Sequence, residues 1–183
     1  MTLDRQAFAE VCHRLESIVA DAGFVPDAVL SIAQGGVYVG ELLFQDVPHF
    51  GTSLQRPSTR YKRPRLKAML RRLPRPVLDA LRKAEAALLG MRKPRPIDIA
   101  QVIIPAEIAT GKRILVVDDA VDSGATLDGV VRALCVAAPE AEVRTAVVTV
   151  TTKHPLIVPD FVIFNDLTLI RFPWSMDVND KEQ

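Results

Sequence analysis

Near the start of the chain, Phe8, Val11, Leu15, Ile18 and Val19 recur at steps of three and four residues. That spacing puts them on one side of an amphipathic helix, with Gly23 as its stop. The pattern then changes. From Asp27 to Ile32 the apolar residues Ala28, Val29, Leu30 and Ile32 form a short run, which predicts a strand ended by Gly35 and Gly36. A helix over Val37 to Phe44 and a second extended stretch over His49 to Leu54 follow. Strand-like runs return at Gln101–Ile104, Arg113–Val117 and Val143–Val150, with a helix over Ala125–Val136 between the last two. The runs are nearly continuous rather than alternating. A strand of that kind is buried on both faces, so the pattern predicts an α/β domain whose parallel sheet is covered by helices.

The 183 residues suit one compact domain, residues 1–183. With 49% hydrophobic and 25% charged residues the composition is globular and excludes a disordered or fibrous chain. The net charge of +1 conceals an uneven spread. Residues 56–95 carry 14 of the 23 bases and only Asp79 and Glu85 as acids, a local net of +12 against −11 for the remainder. Within this block Leu66, Met69, Leu70 and Leu73, and then Val77, Leu81, Ala84 and Leu88, predict two short amphipathic helices with basic outer faces, an insert spanning about 56–96. Such a face suits a cationic lid over a polyphosphate, contact with RNA or another polyanion, or docking on an acidic partner surface. Cys12 and Cys135 form no CxxC pair and read as reduced, buried thiols. His13, His49 and His154 have no zinc-ligand spacing. The first residues lack a signal-peptide pattern, and no apolar run approaches the ~20 residues of a membrane span. The expectation is a cytoplasmic protein without membrane contact.

The most specific segment runs from Ile114 to Leu127. Four apolar residues are followed by Asp118 and Asp119, then Ala120-Val-Asp-Ser-Gly-Ala-Thr126 at the start of a helix. Ligands of open α/β sheets bind beyond the carboxyl ends of the strands. Ser123, Gly124, Ala125 and Thr126 can aim backbone N–H groups and hydroxyls at one phosphate. Asp118 and Asp119 can accept hydrogen bonds from a sugar diol or hold Mg2+ through water. A Walker B strand would need a GxxxxGK[ST] loop, and Gly111-Lys112 is followed by Arg113. A receiver-domain acid pair would stand near the first strand.

This order of residues resembles the phosphoribosyl pyrophosphate (PRPP) motif of type I phosphoribosyltransferases. Asp122 extends the resemblance to the branch acting on 6-oxopurines, the xanthine-guanine and hypoxanthine enzymes. Ser31-Ile-Ala-Gln-Gly-Gly36 corresponds to that family's pyrophosphate loop, with Gln34 where a basic residue is common. Thr151-Thr-Lys153 resembles the base-binding lysine, and Pro159-Asp-Phe-Val162 with the run Thr168-Leu-Ile-Arg-Phe-Pro-Trp174 resembles the C-terminal hood. Leu169 stands where an aromatic usually stacks on the base, Arg171 where an acid is usual, and Trp174 reads as core packing. Ser58-Thr-Arg-Tyr61 lies near the family's flexible loop without its Ser-Tyr pair.

The resemblance implies a parallel five-stranded sheet flanked by helices, with a small hood from the chain ends. It implies transfer of 5-phosphoribosyl from PRPP to a nucleobase nitrogen, with Mg2+ and release of pyrophosphate, in a homo-oligomer. By residue it assigns Asp122 to proton transfer and Ser123–Thr126 to the 5-phosphate. Asp118 and Asp119 go to the ribose and metal waters, Gln34, Gly35 and Gly36 to pyrophosphate, and Lys153, Leu169 and Ile170 to the base. The alternative is a non-catalytic sensor of PRPP or nucleotide whose insert binds RNA or a protein. A transferase with a different nitrogen nucleophile is a third reading.

Overall fold

The computed structural model of the chain describes residues 1–54 and 95–175. The two predicted basic helices, the Ser58–Tyr61 segment and all but the last residues of the insert lie outside them.

Helix α1 (Arg5–Asp21) opens the fold. The Asp4 carboxylate accepts the Ala7 N–H at 2.8 Å and so caps the first turn. Phe8, Leu15 and Val19 are buried as the spacing predicted, Cys12 joins them, and Val11 and Ile18 at the edge of the stripe are only half-buried. Burial pushes the Cys12 thiol up to about 12, so it is an inert core group, whereas Cys135, expected to be buried as well, is exposed. Strand β1 (Ala28–Ile32) is buried at every position. Helix α2 (Gly35–Gly40) follows, then strand β2 (His49–Leu54). α2 is shorter than expected. The chain leaves it for a left-handed residue, Phe44 (φ 46°), whose N–H is taken by the Glu16 carboxylate at 2.8 Å. After the insert come a two-residue strand β3 (Val102–Ile103), strand β4 (Arg113–Val121), helix α3 (Ala125–Ala137), strand β5 (Glu142–Val150) and strand β6 (Phe161–Phe164).

The sheet has six strands in the order β3-β2-β1-β4-β5-β6. Five of them, β2, β1, β4, β5 and β6, are mutually parallel, and β3 is antiparallel to β2. The expected parallel sheet of five strands is present, and two details differ from the runs read in the sequence. The 101–104 run is an antiparallel edge, and the fifth parallel strand is β6, from a segment assigned to the hood. A four-residue apolar run fits a strand or a cover equally well until its neighbours are known.

The sheet is covered on both faces, as the runs implied. Val29, Leu115, Val117, Ala146 and Val148 meet Phe8, Cys12, Leu15 and Val39 on the α1/α2 side. Leu30, Ile114, Val116 and Val147 meet Leu127, Val130 and Leu134 of α3 on the other. The chain ends come together as a small cap: Thr2 bridges Arg171, and Leu3 N–H donates to the Arg171 carbonyl at 3.0 Å. Among the described residues no helix is long and apolar enough to cross a membrane.

Candidate active site

The strand order reverses between β1 and β4. From β1 the chain moves outward to β2, whereas β4 leads to β5 and β6 on the other side. The loops leaving these two strands diverge and open a crevice at their carboxyl ends, where α/β sheets bind ligands. A cleft of about 460 Å³ lies there. Of the residues singled out from the sequence, it brings together Gln34, Gly35, Asp118, Asp119 and Thr126. Thr52, Ser53 and Leu54 at the end of β2 and Val130 of α3 complete much of its wall. Sequence reasoning missed these four. The rule about strand ends would have found the first three, because β2 is parallel to β1 and ends on the same edge.

Both acids line the cleft. Residues 115 and 117 of β4 face α1 and α2, and residues 114 and 116 face α3. The alternation breaks at the two acids, since Ala120 returns to the α1/α2 side and Val121 to the α3 side, and both acids lie against the start of α2: a Cβ at Gly36 would come within 3.3 Å of Asp118 Oδ1. Gly35 lies so close that a Cβ there would collide with the Asp119 carboxylate. Asp118 is only 9% exposed, and its Oδ1 accepts the Asp119 N–H at 2.9 Å. Burial first, and the adjacent Asp119 charge second, push the Asp118 carboxyl well above the ordinary carboxylate range. Burial raises Asp119 as well. Two acids that resist ionisation together are stabilised by any cation or hydroxyl donor placed between them. Hard carboxylate oxygens at the mouth of a polar cleft fit Mg2+, which keeps several waters and needs only one or two protein carboxylates beside phosphate ligands. Among the described residues no group of three or more His, Cys, Asp or Glu side chains gathers around a metal position.

The loop after β4 is built for backbone presentation. Gly124 has φ 75°, the left-handed region, and a Cβ there would lie 2.9 Å from the Leu156 amide nitrogen. Leu156 N–H donates to the Ser123 carbonyl at 3.0 Å, and Ala125 N–H to the Ser123 hydroxyl at 3.3 Å. Ser123 is exposed, and α3 starts at Ala125. The loop thus opens the 13-residue helix α3, with its free N–H groups at the cleft edge.

Asp122 stands at the same edge, exposed, one residue beyond β4. Its Oδ1 accepts the Thr151 hydroxyl at 2.5 Å, and Thr151 N–H donates to the Val121 carbonyl at 2.9 Å. Thr151 was noted in the sequence only as a neighbour of Lys153. Its contact with Asp122 crosses 29 positions, and only the pairing of β4 with β5 creates it. Lys153 is exposed just past the end of β5. The Thr149 hydroxyl on β5 donates to the Thr168 carbonyl at 2.9 Å, which brings the 166–169 turn to the same sheet edge. There Leu169 is 43% exposed, while Ile170 packs on the core cluster around α1. Gly36 is buried behind the β1 loop. Lys153, Leu169 and Ile170 do not line the cleft itself.

A model of the phosphoribosyl transferase domain matches residues 2–181. The fold is that of a Helicobacter pylori xanthine-guanine-hypoxanthine phosphoribosyltransferase, at 19% identity and a TM-score of 0.60, covering 96% of this chain and 93% of that one. A purine phosphoribosyltransferase from Pyrococcus horikoshii matches at 18% identity and a TM-score of 0.57, with 96% and 93% covered. A Neisseria gonorrhoeae protein with bound ppGpp matches at 18% and 0.60, with 96% and 89% covered. No curated protein sequence matches the chain. Because nearly its whole length falls within that one domain model, the chain belongs to the phosphoribosyl transferase family and is a phosphoribosyltransferase.

Proposed function

We propose that the protein transfers the 5-phosphoribosyl group of PRPP to a ring nitrogen of a 6-oxopurine. The bond from the ribose anomeric carbon to pyrophosphate breaks, a carbon–nitrogen bond forms, and the purine loses a proton. The observation that carries this reading is the convergence of Gln34 and Gly35, Asp118 and Asp119, and Thr126 on one polar cleft at the strand switch. A pyrophosphate, a ribose diol and a 5-phosphate need those three kinds of group in that order.

In this reading Ser123–Thr126 hold the 5-phosphate with backbone N–H groups and hydroxyls. Asp118 and Asp119 accept hydrogen bonds from the ribose hydroxyls and orient metal-bound water. Asp118 and Asp119 would hold a Mg2+ ion through its waters, and the ion would supply positive charge to offset that of the departing pyrophosphate. Gln34, Gly35 and Gly36 form the pyrophosphate end. The carboxylates also favour the positive charge that grows on the ribose in the transition state. Asp122 takes the purine proton, with its carboxylate held by Thr151. Lys153 donates to the exocyclic oxygen, which suits an oxopurine and not an amino-purine. Leu169 covers the base, and Ile170 supports it from the core side.

One observation favours a second reading, a nucleotide-binding regulator: the side chain at the pyrophosphate loop is the neutral, exposed Gln34. A fold neighbour that holds ppGpp is compatible with such a role. Pyrophosphate release with PRPP and a panel of bases separates the two. Hypoxanthine, guanine or xanthine is expected to support turnover and adenine is not. Asp122→Asn is expected to cut kcat by roughly 100-fold, within the usual range for a lost acid–base group, with PRPP affinity nearly unchanged. No turnover with any base would establish the regulator. Lost PRPP affinity in Asp122→Asn would remove the proton-transfer role.

A further inference from the structure

The helix that begins at the pyrophosphate loop has little reason of its own to be a helix. α2 is Gly-Gly-Val-Tyr-Val-Gly, with no side-chain cap. Glycine and valine are poor helix formers, so its neighbours fix its position. One neighbour is the sheet. A Cβ at Gly36 would sit 2.6 Å from the Val117 carbonyl oxygen, and one at Gly40 would collide with the Ser31 hydroxyl. The glycine face therefore lies directly on β4 and β1. Tyr38 is two residues on from Gly36, about 200° around the helix, and so leaves from the opposite face.

There it meets the C-terminal segment. The Tyr38 ring stacks on Trp174 with centroids 4.4 Å apart and planes 17° from parallel. Trp174 stacks in turn on Phe172, at 4.9 Å and 8°. Phe8 of α1 sets its edge against both, at 4.9 Å on Trp174 and 6.1 Å on Phe172. The inner end of this column is fixed. Phe172 is 5% exposed, and its carbonyl accepts the Ser175 N–H at 2.9 Å in a closed turn. The outer end is not, because Tyr38 is 44% exposed. α2 is thus held between a rigid sheet and one aromatic stack, and Gln34, which precedes it as N-cap, and Gly35, its first residue, lie on the cleft wall.

We propose that Tyr38 and Trp174 are positioning residues for the pyrophosphate end of the cleft: their stack sets where the Gln34–Gly36 loop lies. The proposal rests on the reading of that loop given above. Seating of a pyrophosphate group moves the loop and Tyr38 with it. The stack then carries the displacement to the segment that also bears Leu169.

Trp174 is the only tryptophan in the chain, so its emission reports on the stack directly. The test uses the full-length protein with Mg2+, titrated separately with pyrophosphate and with ribose 5-phosphate. Trp174 emission and heat of binding are followed together. Pyrophosphate is expected to change the emission, and ribose 5-phosphate to bind without changing it. Tyr38→Leu is expected to abolish the emission change and weaken pyrophosphate by roughly threefold to tenfold, the worth of one aromatic stack. Ribose 5-phosphate affinity should stay within about twofold, and Tyr38→Phe should restore both readouts. If Tyr38→Leu weakens both ligands equally, or neither, the proposal is overturned. If the wild type binds ribose 5-phosphate but not pyrophosphate, the assignment of the loop falls and the proposal with it.

Discussion

The proposed sugar-phosphate end of the site and its proposed base end are made of different material. The first is backbone and buried acid: Asp118 at 9% exposure, Gly35 against Asp119, and Gly124 in a left-handed turn against Leu156. The second is exposed side chain: Lys153 past the end of β5 and Leu169 at 43% exposure. A group set by strand ends and glycine contacts cannot change without moving the sheet. A group on an exposed turn can change freely. The fold therefore commits this chain to a ribose phosphate far more strongly than to a particular base.

Substitutions at the two ends should reflect that difference. Gly35→Ala is the harshest test, because the added methyl collides with the Asp119 carboxylate. Displacing either group by about 1 Å is expected to cut pyrophosphate release by roughly 100-fold. A near-normal rate would mean that the rigid end is soft. Thr151→Val probes the junction of the two ends. Losing a hydrogen bond to a charged group is expected to lower kcat about tenfold, and Thr151→Ser should recover most of it. In an Asp122→Asn background the same change should cost less than about twofold. An equal cost in both backgrounds would reduce Thr151 to a structural role.

Asp118→Asn turns the comparison from rate to stability. The folded protein holds Asp118 above the ordinary carboxylate range, so between that range and the raised value the native state binds more protons than the unfolded chain. Stability contributed by the protonated acid is fully present at low pH and is lost as pH rises through that window. Asn removes the slope. The variant is expected to be more stable than wild type at neutral pH, by on the order of 1 kcal/mol, with a gain that vanishes as pH falls, while turnover drops. Thermal melts across pH would contradict this if the gain were independent of pH. Leu169→Phe should have the smallest effect, lowering KM for the base by roughly threefold with PRPP KM unchanged. An altered PRPP KM would show that the two ends are not separable.

Much of this was legible without coordinates, for a local reason. Strands buried on both faces read as continuous apolar runs, and the stretch from Ile114 to Leu127 holds strand, acids, loop and helix start in one piece of chain. The β6 segment was not legible as a strand, because four apolar residues after Pro159 acquire that identity only by pairing, Ala146 with Phe161 and Val147 with Val162. The same holds for β2's contribution to the cleft, which depends on β2 lying parallel to β1.

The sequence by itself determined the sheet-and-helix class, the loop that opens α3 and the acid pair, because each depends on neighbours along the chain. The tertiary structure alone decided that Asp118 is shielded from water, that Thr151 holds Asp122, that Ile170 turns into the core, and that Tyr38 lies on Trp174. Those are contacts between residues far apart in the chain. Their partners are chosen by how the strands order themselves in the sheet, which no local pattern of apolar and polar residues encodes.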